Sequence, residues 1–87
     1  MQIQVRYFAS VRETLGDAEA LSWPDGASPA PTVGAVLAHL QSRSEAHARV
    51  LDTARGLRAA RNQAFCQLGD AVQDGDELAF FPPVTGG

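Results

Sequence analysis

One amphipathic helix, placed among segments with strand character, is the feature of this sequence that most restricts its fold. In the segment TVGAVLAHL apolar residues recur at positions i, i+3, i+4 and i+7, where they are Val33, Val36, Leu37 and Leu40. Thr32 precedes them and is a favourable N-cap residue. Because a single apolar stripe must be buried against another layer, the helix predicts a domain in which a sheet packs on it.

Strand patterns flank this helix on both sides. Residues 2–7 alternate between apolar and polar side chains, which is typical of a half-buried strand. The other segments with strand character are 18–23, 57–60, the stretch QAFCQL, and 77–81 after a turn at 74–76. The order β-β-α-β-β predicts an α+β fold with a mixed sheet of four to five strands on one main helix.

Two shorter helical segments are predicted beside the main helix. The first is a helical turn in SVRETLG, where Ser10 and Glu13 have the spacing of a capping box and Gly16 provides a stop. The second runs over residues 45–53 with Ser44 as its cap. Neither is long enough to change the predicted class.

The composition indicates one small globular domain. The chain has 87 residues, of which 45% are hydrophobic and 20% are charged, so there is room for one modest core. The net charge is -3 and no stretch concentrates basic residues, so neither nucleic acid nor an anionic membrane is expected as a partner.

Cysteine usage and the start of the chain predict a cytoplasmic protein. Cys66 is the single cysteine, so no internal disulfide is expected. The start MQIQVRYF has neither the charged region nor the long apolar region of a signal peptide. No apolar run approaches the roughly 18 residues of a membrane span. We therefore expect the protein in a reducing cytosol.

Motifs of conventional active sites are missing from the sequence. It contains no phosphate loop ending in lysine, no G-x-G-x-x-G and no cysteine or histidine cluster at metal-ligand spacing. His39 and His47 are interpreted as solvated or edge residues, and Cys66 as a small buried apolar residue. Four clustered carboxylates are assigned to turn chemistry and an acidic surface rather than to a metal: Asp70, Asp74, Asp76 and Glu77.

The last strand is followed by two prolines, which predict a stiff exit from the sheet. Neither Pro82 nor Pro83 can donate a backbone hydrogen bond, and proline biases the residue before it, Phe81, toward extended geometry. The predicted division is a domain at residues 1–81 and an extended tail at residues 82–87.

The sequence after the prolines, VTGG, predicts a short arm with a reactive end. Four extended residues span on the order of 13 Å, and two glycines without Cβ atoms fit a narrow channel. The carboxylate of Gly87 is an anion at neutral pH and a poor electrophile, so it must be activated before it reacts. Since the chain has no nucleotide-binding loop, a separate ATP-using enzyme is expected to activate it.

The sequence resembles the small, sulfur-carrier subunits of molybdopterin synthases, which belong to the ubiquitin-like β-grasp group. The resemblance covers nearly the whole chain through four stretches: YFASVRETLG at 7–16, TVGAVLAHL at 32–40, ARNQ at 60–63 and DGDELAFFPPVTGG at 74–87. The last stretch is specific and the others support it.

The resemblance implies a cycle of chemistry at the tail. Gly87 is adenylated by a ubiquitin-activating (E1-like) enzyme that uses ATP, then converted to a thiocarboxylate with sulfur from a cysteine desulfurase or sulfurtransferase. Val84, Thr85 and Gly86 insert into the large subunit of the synthase, where the sulfur passes to cyclic pyranopterin monophosphate in molybdenum cofactor biosynthesis. No cofactor or metal is implied on this chain, which is not catalytic alone.

The expected assembly is a heterotetramer, in which two small subunits flank a dimer of large ones. Phe81, Pro82 and Pro83 are the expected contacts with the large subunit, because a buried aromatic side chain can contribute much of an interface's affinity. Phe80 is expected to point into the core, since neighbouring strand residues alternate between faces.

Three other functions remain as alternatives. A sulfur carrier of the thiamine pathway would share the fold, the double glycine and the thiocarboxylate. A ubiquitin-like modifier would be conjugated to lysines of target proteins, and a bare interaction module would make no use of the tail. The chain itself contains no lysine.

Three features depart from a simple pattern. The loop WPDGASPAPT is long and rich in proline. Arg61 stands where an apolar strand residue is expected, so the third strand is interpreted as an edge strand or as one that reaches toward the partner. Phe8 falls on the polar side of the first strand, where it is either covered by another element or left for a partner.

Overall fold

The computed structural model describes residues 1–24, 26 and 31–83, and they form a sheet with helices on one face. Half of the predicted loop WPDGASPAPT falls outside these residues, and Val84, Thr85, Gly86 and Gly87 fall wholly outside them. The elements in chain order are β1 (Gln2–Tyr7), α1 (Ala9–Leu15), β2 (Ala18–Ser22), α2 (Val33–Gln41), α3 (Glu45–Val50), a 3₁₀ helix (Thr53–Arg55), β3 (Arg58–Arg61), β4 (Ala64–Phe65) and β5 (Glu77–Phe81). The predicted α+β class is confirmed.

The sheet is mixed and has the strand order β2-β1-β5-β3-β4. The two central strands, β1 and β5, run parallel, although they lie near opposite ends of the sequence. The other neighbouring strands are antiparallel. Because β1 and β5 pair with Val5 opposite Leu78 and Tyr7 opposite Phe80, their apolar residues share the face that the helices cover.

Helix α2 supplies the helical side of the core, as its periodicity predicts. The Thr32 hydroxyl caps it by accepting a hydrogen bond from the Ala35 N–H at 3.1 Å. The four residues of the predicted stripe are all buried: Val33, Val36, Leu37 and Leu40. They pack in one cluster with the inward residues of the sheet, so the protein has the single modest core that its length predicts.

The predicted capping box of the first helix is wrong. Helix α1 begins at Ala9, its N-cap residue is Phe8, and no side chain caps it. Ser10 is therefore the second residue of the helix, a position from which its hydroxyl cannot cap the helix. The predicted stop is confirmed, because the Gly16 N–H donates to the carbonyl of Arg12 at 2.8 Å.

The second short helix is shorter than predicted. Ser44 caps α3 as expected, accepting a hydrogen bond from the His47 N–H at 3.1 Å. The helix ends at Val50, not at residue 53, and a separate 3₁₀ helix follows. The Asp52 side chain caps that 3₁₀ helix, since it accepts from the Ala54 N–H at 2.9 Å. Asp52 thus begins a separate 3₁₀ helix in a stretch for which the sequence predicts one continuous helix.

Candidate functional site

Adjacent phenylalanines of β5 lie on opposite faces of the sheet. Phe80 is fully buried in the core, as predicted, and Leu78 is fully buried on the same face. Phe81 is half-buried on the other side, where no helix covers the sheet. β5 ends at Phe81, directly before the two prolines.

The uncovered side of the sheet carries an apolar area around Phe81, which we call the outer apolar face. Strand register sets its arrangement, because Ala79 of β5 lies opposite Ala60 of β3, and Ala60 lies opposite Phe65 of β4. The outer apolar face consists of Phe8, Ala60, Phe65, Ala79 and Phe81. Its base consists of two small residues, Ala60 and Ala79, and three aromatic side chains lie around them.

A groove of about 680 Å³ runs over the outer apolar face. Phe8 is 40% exposed and Phe65 is 78% exposed, although both are large apolar side chains. The Phe65 and Phe81 ring centroids are 6.0 Å apart, and the Arg6 guanidinium carbon is 5.7 Å from the centroid of the Phe8 ring. Clustered exposed aromatic side chains with a charged rim are typical of a protein-binding surface.

Phe65 and Phe8 extend the predicted contact set. The sequence places Phe65 in a strand segment but does not tell which face it occupies, because that depends on its pairing with β3. The sequence left open whether another element covers Phe8 or whether it is left for a partner. Its side chain is exposed, which favours the second interpretation.

Pro82 and Pro83 form the root of the tail and lie between two grooves. They line the groove of the outer apolar face on one side. On the other side they line a more polar groove of about 340 Å³, which also includes Arg49 and Arg55. The division at residue 82 and the roles of Val84, Thr85, Gly86 and Gly87 stay predictions, because those four residues lie outside the described part of the chain.

Arg61 has an internal partner, so the interpretation of its strand as an edge is wrong. β3 lies between β5 and β4. The Arg61 Nε donates to Asp76 Oδ2 at 2.6 Å, and Asp76 is only 6% exposed. The Asn62 amide and the Gln73 N–H donate to the same carboxylate at 3.0 and 2.7 Å. The charged side chain thus ties β3 to the segment that precedes β5.

The pKa of Asp76 reflects this pairing. Burial by itself raises it, but the hydrogen bonds from Arg61, Gln73 and Asn62 outweigh burial and hold the pKa below its ordinary value. The Asp74 carboxylate accepts from the Gln2 N–H at 2.7 Å, and the Asp70 carboxylate accepts from the Gln67 N–H at 2.9 Å. Asp70 and Asp76 thus each accept from the N–H three residues before, which is the turn chemistry that the sequence predicts, but Asp76 is buried and is not part of an acidic surface.

The sequence matches the model of the ThiS family over residues 5–87, which is nearly its whole length. The chain belongs to the ThiS family. Among curated relatives, the molybdopterin synthase sulfur carrier subunit of Escherichia coli (strain K12) is 43% identical over 86 residues, covering 98% of this chain and 99% of the relative.

Solved structures confirm the ubiquitin-like β-grasp fold of this ThiS-family chain. SAMP1 from Haloferax volcanii is similar with a TM-score of 0.77 and 30% identity, with full coverage of both chains. A chain of the complex of subunits 1 and 2 of molybdopterin-converting factor from Helicobacter pylori is similar with a TM-score of 0.66 and 26% identity, again with full coverage of both.

The remaining candidate side chains of this ThiS-family chain are two histidines and one cysteine, and each contacts neighbouring residues of the fold. His39 is exposed and meets the edge of the Trp23 ring, with centroids 5.7 Å apart. The His47 Nδ1 is 2.8 Å from the Ser44 hydroxyl at the start of α3. Cys66 is half-buried, and burial, helped by the charge of Asp70, raises the pKa of its thiol. A thiol held in the protonated form is a weak nucleophile.

The described residues contain neither a metal-binding cluster nor a membrane-spanning helix. No group of three histidine, cysteine, aspartate or glutamate side chains is arranged to hold a metal ion in residues 1–24, 26 and 31–83. Over the same part of the chain, no helix has the length and apolar character needed to cross a membrane.

Proposed function

We propose that this chain is the sulfur carrier subunit of a molybdopterin synthase. The observation that carries the proposal is its full-length likeness, at 43% identity, to the Escherichia coli subunit of that name. The geometry agrees with this role, since β5 leads from the core to an exposed apolar groove and then directly into the prolines before VTGG. The chain supplies a reactive group on an arm, and other proteins act on it.

The proposed reactive group is the carboxylate of Gly87. An oxygen of this carboxylate attacks the α-phosphate of ATP on an E1-like enzyme, pyrophosphate leaves, and an acyl-adenylate forms. A persulfide sulfur supplied through a cysteine desulfurase or sulfurtransferase then displaces AMP, and a thiol reductant releases the thiocarboxylate. On the synthase the sulfur bonds to cyclic pyranopterin monophosphate and water returns an oxygen to Gly87, so the carrier is ready for another cycle. ATP is used by the activating enzyme, and no cofactor is proposed on this chain.

The proposed partner at the outer apolar face is the large subunit of the synthase. The similar chain from Helicobacter pylori was solved in a complex of subunits 1 and 2 of molybdopterin-converting factor. Phe81, Pro82 and Pro83 would contact the large subunit, while Val84, Thr85 and Gly86 would enter its channel. Desolvating the aromatic rings gives such an interface most of its binding energy. We expect the heterotetramer of two small and two large subunits, acting in the cytoplasm.

A protein modifier is the second candidate function, because SAMP1, the small archaeal modifier protein 1 of Haloferax volcanii, is a structural neighbour at 30% identity. A modifier also needs an adenylated C-terminal glycine, but its product is an isopeptide bond to a lysine of another protein. A sulfur carrier of the thiamine pathway is a third candidate, since it would present the same thiocarboxylate to a different acceptor.

Mass spectrometry of the chain co-expressed with an E1-like enzyme and a sulfur source tests the proposal. We expect one oxygen to be replaced by sulfur at Gly87, and we expect the purified product to give molybdopterin with the large subunit and cyclic pyranopterin monophosphate. Isopeptide adducts on other proteins would instead support the modifier. A thiocarboxylate that forms but that the synthase does not use would support the sulfur carrier of the thiamine pathway.

Deletion of Gly87 is expected to abolish molybdopterin formation. The shortened tail ends in Gly86 and brings its carboxylate one residue, about 3.5 Å, short of its place in the partner. Gly87→Ala is the companion variant: it keeps the length and the carboxylate but adds a methyl group that a narrow channel disfavours, so we expect it to keep part of the molybdopterin formation that the deletion abolishes. Both variants should unfold in urea at the wild-type midpoint. Undiminished molybdopterin formation by the shortened chain would refute the mechanism.

A further inference from the structure

A glycine lies beside the point at which the tail leaves the sheet. Strands β3 and β5 are antiparallel, with Arg58 opposite Phe81. Extending this register by two residues places Gly56 opposite Pro83. Proline has no N–H with which to continue the ladder of hydrogen bonds, so only packing can hold the chain here. The packing is close, because a Cβ atom added to Gly56 would lie 3.2 Å from Cγ of Pro83 and 3.4 Å from its Cβ.

The backbone of Gly56 is fixed from both sides. It has φ 88 and ψ 18, the left-handed conformation, and its N–H donates to the Thr53 carbonyl at 3.0 Å to end the 3₁₀ helix. Leu57, the next residue, packs against the core. Pro83 is exposed by contrast. A side chain at position 56 would therefore displace the exposed proline rather than the anchored backbone.

We propose that Gly56 is a positioning residue for the tail: its missing side chain lets the Pro83 ring rest on the backbone and so sets the direction in which residues 84–87 leave the domain. The inference rests on the proposed function, because direction matters only if the end of the tail must reach a partner's reaction centre. A displacement at Pro83 would be passed on to the four residues that follow, which span on the order of 13 Å when fully extended. Rates of group transfer respond steeply to such misplacement.

The expected effect falls on sulfur transfer rather than on docking. Phe81 and the rest of the outer apolar face lie on the sheet. Gly56 lies outside it, in the connection between the 3₁₀ helix and β3. With thiocarboxylated Gly56→Ala, saturating large subunit and cyclic pyranopterin monophosphate, we expect the single-turnover rate to fall about 10-fold. The Kd for the large subunit should rise by no more than about 3-fold, because the variant shifts only the Pro83 contact and keeps the contacts of the aromatic rings.

Gly75→Ala is the matched control. Gly75 has φ 84, so alanine suffers the same left-handed strain there, but a Cβ atom at this position meets nothing within 4 Å. Its transfer rate should equal that of wild type. Urea unfolding of both variants measures the shared strain. If Gly56→Ala is too unstable to assay, Gly56→Asn replaces it, because asparagine tolerates the left-handed conformation better.

A double-mutant cycle with Pro83→Ala identifies the contact itself. Removing the ring deletes Cγ, the atom nearest to the added Cβ. Gly56→Ala should therefore slow transfer much less in the Pro83→Ala background than in wild type. Equal rates for Gly56→Ala and Gly75→Ala, or the same rate loss in both backgrounds, would overturn the inference. A wild-type chain that forms no thiocarboxylate would instead refute the proposed function, so the two failures are distinguishable.

Discussion

The two faces of the sheet treat the same kind of side chain in opposite ways. On the inner face Tyr7 and Phe80 are at most 1% exposed, because the helices cover them. On the outer face Phe8 and Phe65 keep 40% and 78% of their surface exposed. Exposed aromatic clusters are unfavourable for an isolated chain, so they indicate a partner. The inner face therefore accounts for the fold, and the outer face accounts for the proposed docking.

Phe80→Ala is expected to have the largest effect and to act on stability alone. Truncating a fully buried phenylalanine removes its burial and leaves a cavity, which lowers the free energy of unfolding by about 4 kcal/mol. Urea denaturation followed by circular dichroism measures the change. Phe65→Ala is the matched control on the outer face and should change the free energy of unfolding by less than about 0.5 kcal/mol. Similar losses for both variants would remove the distinction between the faces.

Phe81→Ala is expected to reverse this pattern by weakening docking and sparing the fold. Loss of a ring at the centre of an interface costs about 2 kcal/mol of binding free energy, which raises the Kd for the large subunit about 30-fold. Titration calorimetry measures the affinity. Leu68→Ala serves as control, because Leu68 is 44% exposed but lies off the outer apolar face. An unchanged Kd for Phe81→Ala would exclude Phe81 from the interface.

The inner face could be predicted from the sequence because its signals are local and periodic. The stripe of α2 and the alternation of β1 specify which of their residues are buried before any pairing is known. The prolines likewise mark where β5 ends. The predicted end of the second short helix was wrong because the stretch holds two capping residues, Ser44 and Asp52. Spacing alone does not tell which capping residue the chain uses.

The outer face and the tail root could be predicted only in part, because they depend on pairing between distant segments. Phe65 joins the outer apolar face through the pairing of β4 with β3. Arg61 looks misplaced in its strand until Asp76, brought close by the same sheet, supplies its partner. The approach of Gly56 to Pro83 depends on the β3–β5 register, which no local pattern records. The exit of the chain from β5 at Phe81, Pro82 and Pro83 could be predicted, because these residues are consecutive in the sequence.

Tyr7→Phe is expected to have the smallest effect, and it asks whether burial alone stabilises the inner face. The Tyr7 hydroxyl donates to Glu19 Oε2 at 2.8 Å, and Arg43 pairs with the other oxygen of the same carboxylate. Removing the hydroxyl deletes one hydrogen bond to a charged group and should lower the free energy of unfolding at neutral pH by about 1.5 kcal/mol. Urea denaturation of both chains measures it.

Wild type and Tyr7→Phe differ in their free energy of unfolding, and the pH dependence of this difference separates the contribution of the hydroxyl from that of the ring. Burial first, and then the hydrogen bond and charge of Glu19, raise the pKa of Tyr7 above its ordinary value. The phenol then stays neutral in the folded chain after it has begun to ionise in the unfolded chain, so its contribution is complete below about pH 10 and is lost as the pH rises further. The stability advantage of wild type over Tyr7→Phe should therefore vanish by about pH 11. An advantage that stays constant across this range would mean that the hydroxyl ionises equally easily in both states and would contradict the raised pKa of Tyr7, whereas no advantage at neutral pH would mean that apolar packing alone stabilises the inner face.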